Sequence, residues 1–350
     1  MPYKSNLPKD SRATIISAAE VCEHINYTAS RRGSFLFAVD FELERGIFIE
    51  DPINCSEILF RMGNVCNSSA WSIAQLPKKR EKTLKILNPV PIQEYREKFN
   101  TVLDGLNRGD TYLINLTCKT EVKTSLTFDE IFFESQSPFA ICLPGKFVCF
   151  SPERFVRIDN GVISSRPMKG TIMASVPQAR ERILSDYKES SEHNTITDLI
   201  RNDLGMVSQR VWVESFRYID RVKTDRGEIL QVSSDIRGEL PEGYLDKLGE
   251  LIFKLLPAGS VSGAPKRSTI KLIEQAEGES RGFYTGIFGY FDGSVFDSAV
   301  MIRFIEMDDD GKTWYRSGGG ITVNSNCDDE YNEMTAKIYF PFESRLKLKL

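Results

Sequence analysis

The chain has 350 residues, 41% hydrophobic and 27% charged, with a formal net charge of −4 at pH 7. This is ordinary globular composition, long enough to bury a large core without a disulfide or metal staple. Lys and Arg are scattered along it, which excludes a basic nucleic-acid footprint, and no apolar run reaches ~18 residues, which excludes a helical membrane span.

The start, Met1-Pro2-Tyr3-Lys4, has no signal-type apolar core. Ser34–Phe41 reads as a strand, Gly46–Ile49 as its partner and Ile58–Met62 as another strand. Pro77–Lys85 reads as a basic loop and Asn88–Pro91 as an extended connector. They separate residues 1–90, a β-rich part of the same compact fold, from a larger region, 91–350. Apolar Tyr95, Phe99, Val102, Leu103 and Leu106 share one face of a predicted helix from Ile92, ended by Gly109. Thr111–Cys118 is an expected strand and Phe128–Ser135 a helix. Strands Phe139–Leu143 and Phe147–Ser151 follow, then Arg154–Ile158 and Val162–Ser165 joined at Asn160-Gly161, a hairpin signal.

Arg166–Thr171 (RPMKGT) reads as a tight turn, because Pro167 blocks helix and Gly170 frees the backbone. Lys169 there is either a surface lysine or an amine held against a ligand. Helices are expected at 178–184 and 186–204, the second capped by Gly205, then strands near 211–215 and 231–237 and a helix near 244–255. Gly259–Lys266 is a loop with the look of an anion cradle, without P-loop spacing. It feeds a helix with Ser262 as N-cap, Pro265 in the first turn and an end near Gly278. Tyr284–Phe291 and Val295–Ile305 are expected to pair, and Thr313–Ser317 and Ile321–Val323 to flank Gly318-Gly319-Gly320. The last helix starts near Asp328 and runs toward Phe340, stopped by Pro341. Long antiparallel runs with interspersed helices indicate an α+β fold.

Glu189 and Glu192 lie three apart on one predicted helix, as do Glu330 and Glu333 on another, with Lys337 a turn further. Each pair is either a solvated helix face or half of a hard-cation site. Mg²⁺ suits the second reading, since it accepts carboxylates and leaves room for a charged substrate. The triple glycine is either a flexible turn or a nest of amides for an anion. Arg303, late in a strand, is either a surface arginine or a bidentate partner for a carboxylate.

Taken in order, several motifs resemble the chorismate-utilising enzymes: anthranilate synthase component I, aminodeoxychorismate synthase component I, isochorismate and salicylate synthases. They are Ser151-Pro152-Glu153-Arg154-Phe155, RPMKGT, KESSEHNTITDLIRNDLG (188–205), SVSGAPK (260–266), the triple glycine and EYNE (330–333). The resemblance runs from about residue 92 to 343. It implies a large antiparallel β-sandwich with helices on the outer faces and an active-site cleft between the sheets. It implies Mg²⁺ at Glu189, Glu192, Glu330 and Glu333, with Glu192 and Glu333 as direct ligands. It places Tyr284 and Arg303 on the enolpyruvyl carboxylate of chorismate, Gly318, Gly319, Gly320 and Lys337 near the substrate carboxylates, and Ser260 in the pocket wall.

Within the family, lysine at position 169 is similar to aminodeoxychorismate synthases that work through a covalent intermediate, where anthranilate synthases carry alanine. The implied catalytic pair is Lys169, attacking chorismate, and Glu153, the general acid/base. The implied reaction is chorismate plus ammonia to 4-amino-4-deoxychorismate, for p-aminobenzoate and folate. Anthranilate synthase component I and a non-catalytic chorismate-binding subunit are the alternatives. Two positions depart from the pattern: Gln231 stands where many members have histidine, and Leu113 near where water-adding members have a base lysine. Seven cysteines without C-x-x-C spacing and two histidines argue against zinc and fit a reducing cytoplasm. None of the cysteines has a glutaminase setting, so ammonia is expected from solution or from a separate glutamine amidotransferase subunit.

Overall fold

The computed structural model describes residues 13–67, 83–224 and 227–339. Met1–Lys4, positions 77–82 of the expected basic loop, Phe340 and Pro341 lie outside them. The described strands form two antiparallel sheets. The first runs in the order Ile15–Ser17, Arg45–Glu50, Phe35–Val39, Ile287–Phe291, Phe296–Val300, Arg154–Asp159, Val162–Ser165, Gly227–Glu239, Met168–Met173, with Arg210–Thr224 also paired to Gly227–Glu239. The second runs Gly263–Ala264, Leu113–Thr124, Thr313–Ile321, Phe304–Met307, Phe147–Ser151, Phe139–Leu143, Leu59–Met62, Val65–Cys66, with Leu84–Asn88 on Leu113–Thr124.

The two-residue period of a strand sorts side chains to opposite faces. In Phe35–Val39, Leu36 and Ala38 join Phe60, Ile141, Phe147 and Phe304 in the core between the sheets. Phe35, Phe37 and Val39 face the other way, onto Val21 and Ile25 of helix Ala18–Ser30 and Leu251 and Ile252 of helix Leu248–Lys254. Helices Ile92–Arg108 and Lys266–Glu277 cover the outer face of the second sheet through Tyr95, Phe99, Val102, Leu272 and Ile273. Each such fully buried side chain contributes about 1.5–3 kcal/mol. The result is a helix-covered sandwich.

Several elements differ from expectation. RPMKGT is not a free turn. Met168–Met173 is a strand paired to Gly227–Glu239, with a register shift between Met168 and Thr171 that leaves Lys169 and Gly170 on a bulge. Gly170 has φ 81°, a conformation other residues resist. The expected strand Val295–Ile305 is two strands, Phe296–Val300 in one sheet and Phe304–Met307 in the other, broken at Arg303 with φ 58°. The triple glycine is not a turn: Gly318, Gly319 and Gly320 lie inside strand Thr313–Ile321, opposite Thr117, Leu116 and Asn115. Ser262 is not an N-cap. It ends a short helix, Gly259–Ser262, its hydroxyl bonds back to the Ala258 carbonyl, and Pro265 caps the next helix. Gly205 is the last residue of helix Tyr187–Gly205 and not its left-handed cap; Met206 follows in right-handed conformation. Strands Arg210–Thr224 and Gly227–Glu239 form a longer hairpin than expected.

Candidate active site

Two chain crossings between the sheets lie side by side. Glu153 joins Phe147–Ser151 to Arg154–Asp159, and Arg303 joins Phe296–Val300 to Phe304–Met307. Val300 N donates to Glu153 O at 3.2 Å and Phe150 N to Arg303 O at 3.1 Å, which ties one crossing to the other. A cleft of about 1010 Å³ opens there, lined among others by Glu153, Lys169, Glu192, Ser260, Tyr284, Arg303, Gly318, Gly320, Glu333 and Lys337. Residues far apart in sequence thus meet around one space between the sheets.

Burial pushes the Glu153 carboxyl above the usual carboxylate range. Opposing that, the Ser260 hydroxyl donates to Glu153 Oε1 at 2.6 Å, and the charges of Lys169, Arg303 and Lys337 act in the same direction as Ser260. A carboxyl so balanced has a protonated form within reach, as a general acid requires. Lys169 Nζ stands 3.3 Å from Glu192 Oε2, with both side chains partly exposed. Tyr284 is buried, and burial pushes its phenol up, so it stays a neutral donor. Arg303 is held by Tyr339, Nε to the hydroxyl at 3.0 Å, with its guanidinium over that ring.

Also lining the cleft, Lys337 Nζ donates to Gly318 O at 2.8 Å and pairs with Glu333 Oε1 at 2.8 Å. A Cβ added at Gly319 would meet Glu330 Oε2 at 3.4 Å, Lys337 Nζ at 3.9 Å and Glu333 Oε1 at 4.0 Å. Gly319 therefore keeps this polar group open, although only Gly318 and Gly320 of the three border the cleft itself. The glutamate pairs divide in the same way. Glu192 and Glu333 line the cleft and Glu189 and Glu330 do not. Positions three apart on a helix are offset by about 60°, which separates each pair. Glu189 Oε2 lies 3.1 Å from where a Gly170 Cβ would stand, beside the Lys169 bulge.

Among the described residues no three His, Cys, Asp or Glu side chains gather into a metal cage. Hard carboxylate oxygens brought to one cleft by two helices nonetheless fit the way Mg²⁺ binds, through one or two carboxylates plus water and substrate.

Sequence reasoning missed Asp203, which also lines the cleft. Burial pushes its carboxyl up, and Lys266 stands at 3.3 Å. Its signal was available, because it lies about three turns after Glu192 on the same helix and so on the same face. Gln231, Leu113 and Asn115 border the cleft as well, and Gln231 is the strand partner of Thr171, next to the bulge.

A sequence profile described as chorismate binding enzyme matches residues 64–343. An "Uncharacterized PabA-like protein" of Haemophilus influenzae is 44% identical over 92% of this chain and 96% of its own length. Anthranilate synthase component 1 of Archaeoglobus fulgidus is 32% identical over 69% of this chain and 61% of its own. Aminodeoxychorismate synthase component 1 of Salmonella typhimurium is 30% identical over 70% of this chain and 56% of its own. The structure of MenF, the menaquinone-specific isochorismate synthase of Escherichia coli, superposes with TM-score 0.70 at 15% identity, covering 93% of this chain and 82% of that one. That likeness is one of fold.

Proposed function

The chain belongs to the chorismate binding enzyme family, and we propose that within it the protein aminates chorismate to 4-amino-4-deoxychorismate, toward p-aminobenzoate and folate. The observation that carries this reading is the presence of Lys169 and Glu153 on one cleft, Glu153 half-buried with its carboxyl raised by desolvation and within the field of the Lys169 charge.

In the proposed reaction Lys169 first gives its ammonium proton to solvent; the free amine attacks C2 of chorismate, the ring double bonds shift, and the C4 hydroxyl leaves. Glu153 in its acid form gives that hydroxyl a proton, so it departs as water. Ammonia then adds at C4, the lysine is expelled, and the Glu153 carboxylate takes up a proton in turn. Two displacements replace one difficult one. Arg303 and Tyr284 hold the enolpyruvyl carboxylate, Ser260 orients Glu153, and Lys337 stands by the substrate carboxylates. Glu192 and Glu333 would hold Mg²⁺, with Glu189 and Glu330 behind them. Held in place by these carboxylates, the metal would supply positive charge to offset the ring carboxylate.

Ammonia is proposed to come from a separate glutamine amidotransferase subunit or from solution. Burial pushes the Cys118 thiol up to about 12 and raises Cys142 and Cys149 as well, the opposite of an activated thiolate. The test is to incubate the purified protein with chorismate, Mg²⁺ and an ammonium salt at alkaline pH and identify the product. Aminodeoxychorismate is expected. Anthranilate as the main product would move the protein to the anthranilate synthase branch, and binding without turnover would make it a non-catalytic subunit.

A further inference from the structure

Behind the cleft wall lies a cation that the proposed reaction does not use. Arg281 is 1% exposed, one of the largest fully buried side chains among the described residues. Its Nε and Nη2 donate to Glu277 Oε2 and Oε1 at 2.8 and 2.6 Å. Nη2 also donates to Asn115 O at 2.7 Å, and Nη1 to Val261 O at 2.8 Å and Thr285 Oγ1 at 3.4 Å. All five N–H groups of the guanidinium are thereby used. The Phe41 ring packs on its face at 4.4 Å. Glu277 Oε1 accepts a further bond from Thr117 N at 2.8 Å.

Each of the three acceptors other than Glu277 belongs to or adjoins a wall residue. Asn115 and Val261 line the cleft. Val261 follows Ser260, which bonds Glu153. Thr285 donates to the carbonyl of Tyr284 at 2.6 Å. We propose that Arg281 is a positioning residue, whose planar fork fixes the strand, the short helix and the turn that carry Asn115, Ser260 and Tyr284, and so sets the Ser260–Glu153 hydrogen bond. Lysine keeps the charge but has no planar fork and fewer donors. Arg281→Lys therefore loosens the wall without removing a cation.

The kinetic part of the test rests on the amination reading; the spectroscopic part does not. The Glu153 carboxyl is titrated in the ligand-free protein by ¹³C NMR, identified by its absence in Glu153→Gln. The groups acting on it are Ser260, Lys169, Arg303 and Lys337. Arg281→Lys leaves all four in the chain. Its Glu153 midpoint is expected to rise in the same direction as in Ser260→Ala, and Arg281→Lys added to Ser260→Ala is expected to raise it little further. With chorismate, kcat is expected to fall about tenfold or more with a smaller change in KM, as loss of alignment predicts. A folded Arg281→Lys protein with an unmoved Glu153 midpoint, or full additivity with Ser260→Ala, overturns the proposal. Should Arg281→Lys not fold, Thr285→Val removes one acceptor at conserved volume. A smaller rise in the same midpoint is expected there, and no rise overturns the proposal. A wild-type protein that makes no aminodeoxychorismate defeats the amination reading and leaves the NMR result to decide this one.

Discussion

Ser260 Oγ lies 2.6 Å from Glu153 Oε1 and donates to it, joining the short helix Gly259–Ser262 to the crossing between the two sheets. That bond lowers the Glu153 pKa while burial raises it. Removing it in Ser260→Ala shifts the balance toward the protonated acid. If Glu153 protonates the leaving hydroxyl, the limb on which activity falls as pH rises moves to higher pH. A pH–rate profile of kcat/KM for both proteins checks the direction, and an unshifted limb counts against Glu153 as the acid.

Glu153 also has a stability signature. A carboxyl whose folded pKa lies above its unfolded value disfavours the folded state once pH exceeds the unfolded value. The penalty grows as pH rises through that window and is then constant. Glu153→Gln is expected to raise Tm by about 1–3 °C at pH 8, and the gain should vanish below the ordinary carboxylate range. Thermal melts across pH test this; a lower Tm for the variant at pH 8 contradicts it.

His193 behaves in the opposite sense. Burial, with Arg217 and Lys169 adding repulsion, pushes its imidazole down to about 4, and Nε2 shares a 2.7 Å hydrogen bond with Ser234 Oγ. The folded protein keeps it neutral where an unfolded histidine, near 6.5, takes a proton. The stability it contributes is complete above about 6.5 and is lost as pH falls toward 4, by up to a few kcal/mol. Denaturant unfolding at pH 7 and pH 4.5 should show a shallower pH dependence for His193→Gln than for the unaltered protein. Equal dependence would remove His193 from the account.

The glycines of strand Thr313–Ile321 are expected to separate fold from function. A Cβ at Gly318 would stand 2.6 Å from Leu116 O and 2.8 Å from Thr117 Cγ2, so Gly318→Ala should cost about 1–3 kcal/mol of stability. A Cβ at Gly319 makes only ordinary contacts, with Glu330, Lys337 and Glu333. Gly319→Ala should therefore fold normally yet weaken Mg²⁺ binding, measured by calorimetry, about tenfold. Unchanged Mg²⁺ affinity would place the metal elsewhere.

Elements fixed by local physics were legible in the sequence. The helix from Ile92 shows its 3.6-residue apolar face and ends at Gly109 with φ 81°. Asn160 and Gly161, at φ 50° and 76°, make the hairpin their dipeptide announces. What local reasoning lost depends on partners distant in sequence. Val295–Ile305 is mostly apolar and holds no glycine or proline, and its charged residues Asp297 and Arg303 are equally at home in a strand, so nothing local marks Arg303 as the point where the chain changes sheets. The triple glycine looks like a turn until Leu113–Thr124 pairs with it. The candidate site was legible mainly through ordered motifs, whereas the Arg281–Glu277 pair was not. Its partners are mostly backbone groups, the carbonyls of Asn115 and Val261 and the Thr117 N–H, which no motif encodes.

The lysine adduct is the central claim, and trapping it is its most direct test. The protein would be mixed with chorismate and Mg²⁺ without ammonia, quenched in acid and examined by intact-mass and peptide mass spectrometry. An added mass of chorismate less one water is expected on the peptide containing Lys169, absent in Lys169→Ala, with amination by that variant reduced about 10³-fold or more. No adduct on Lys169, together with an undiminished rate in Lys169→Ala, would contradict it.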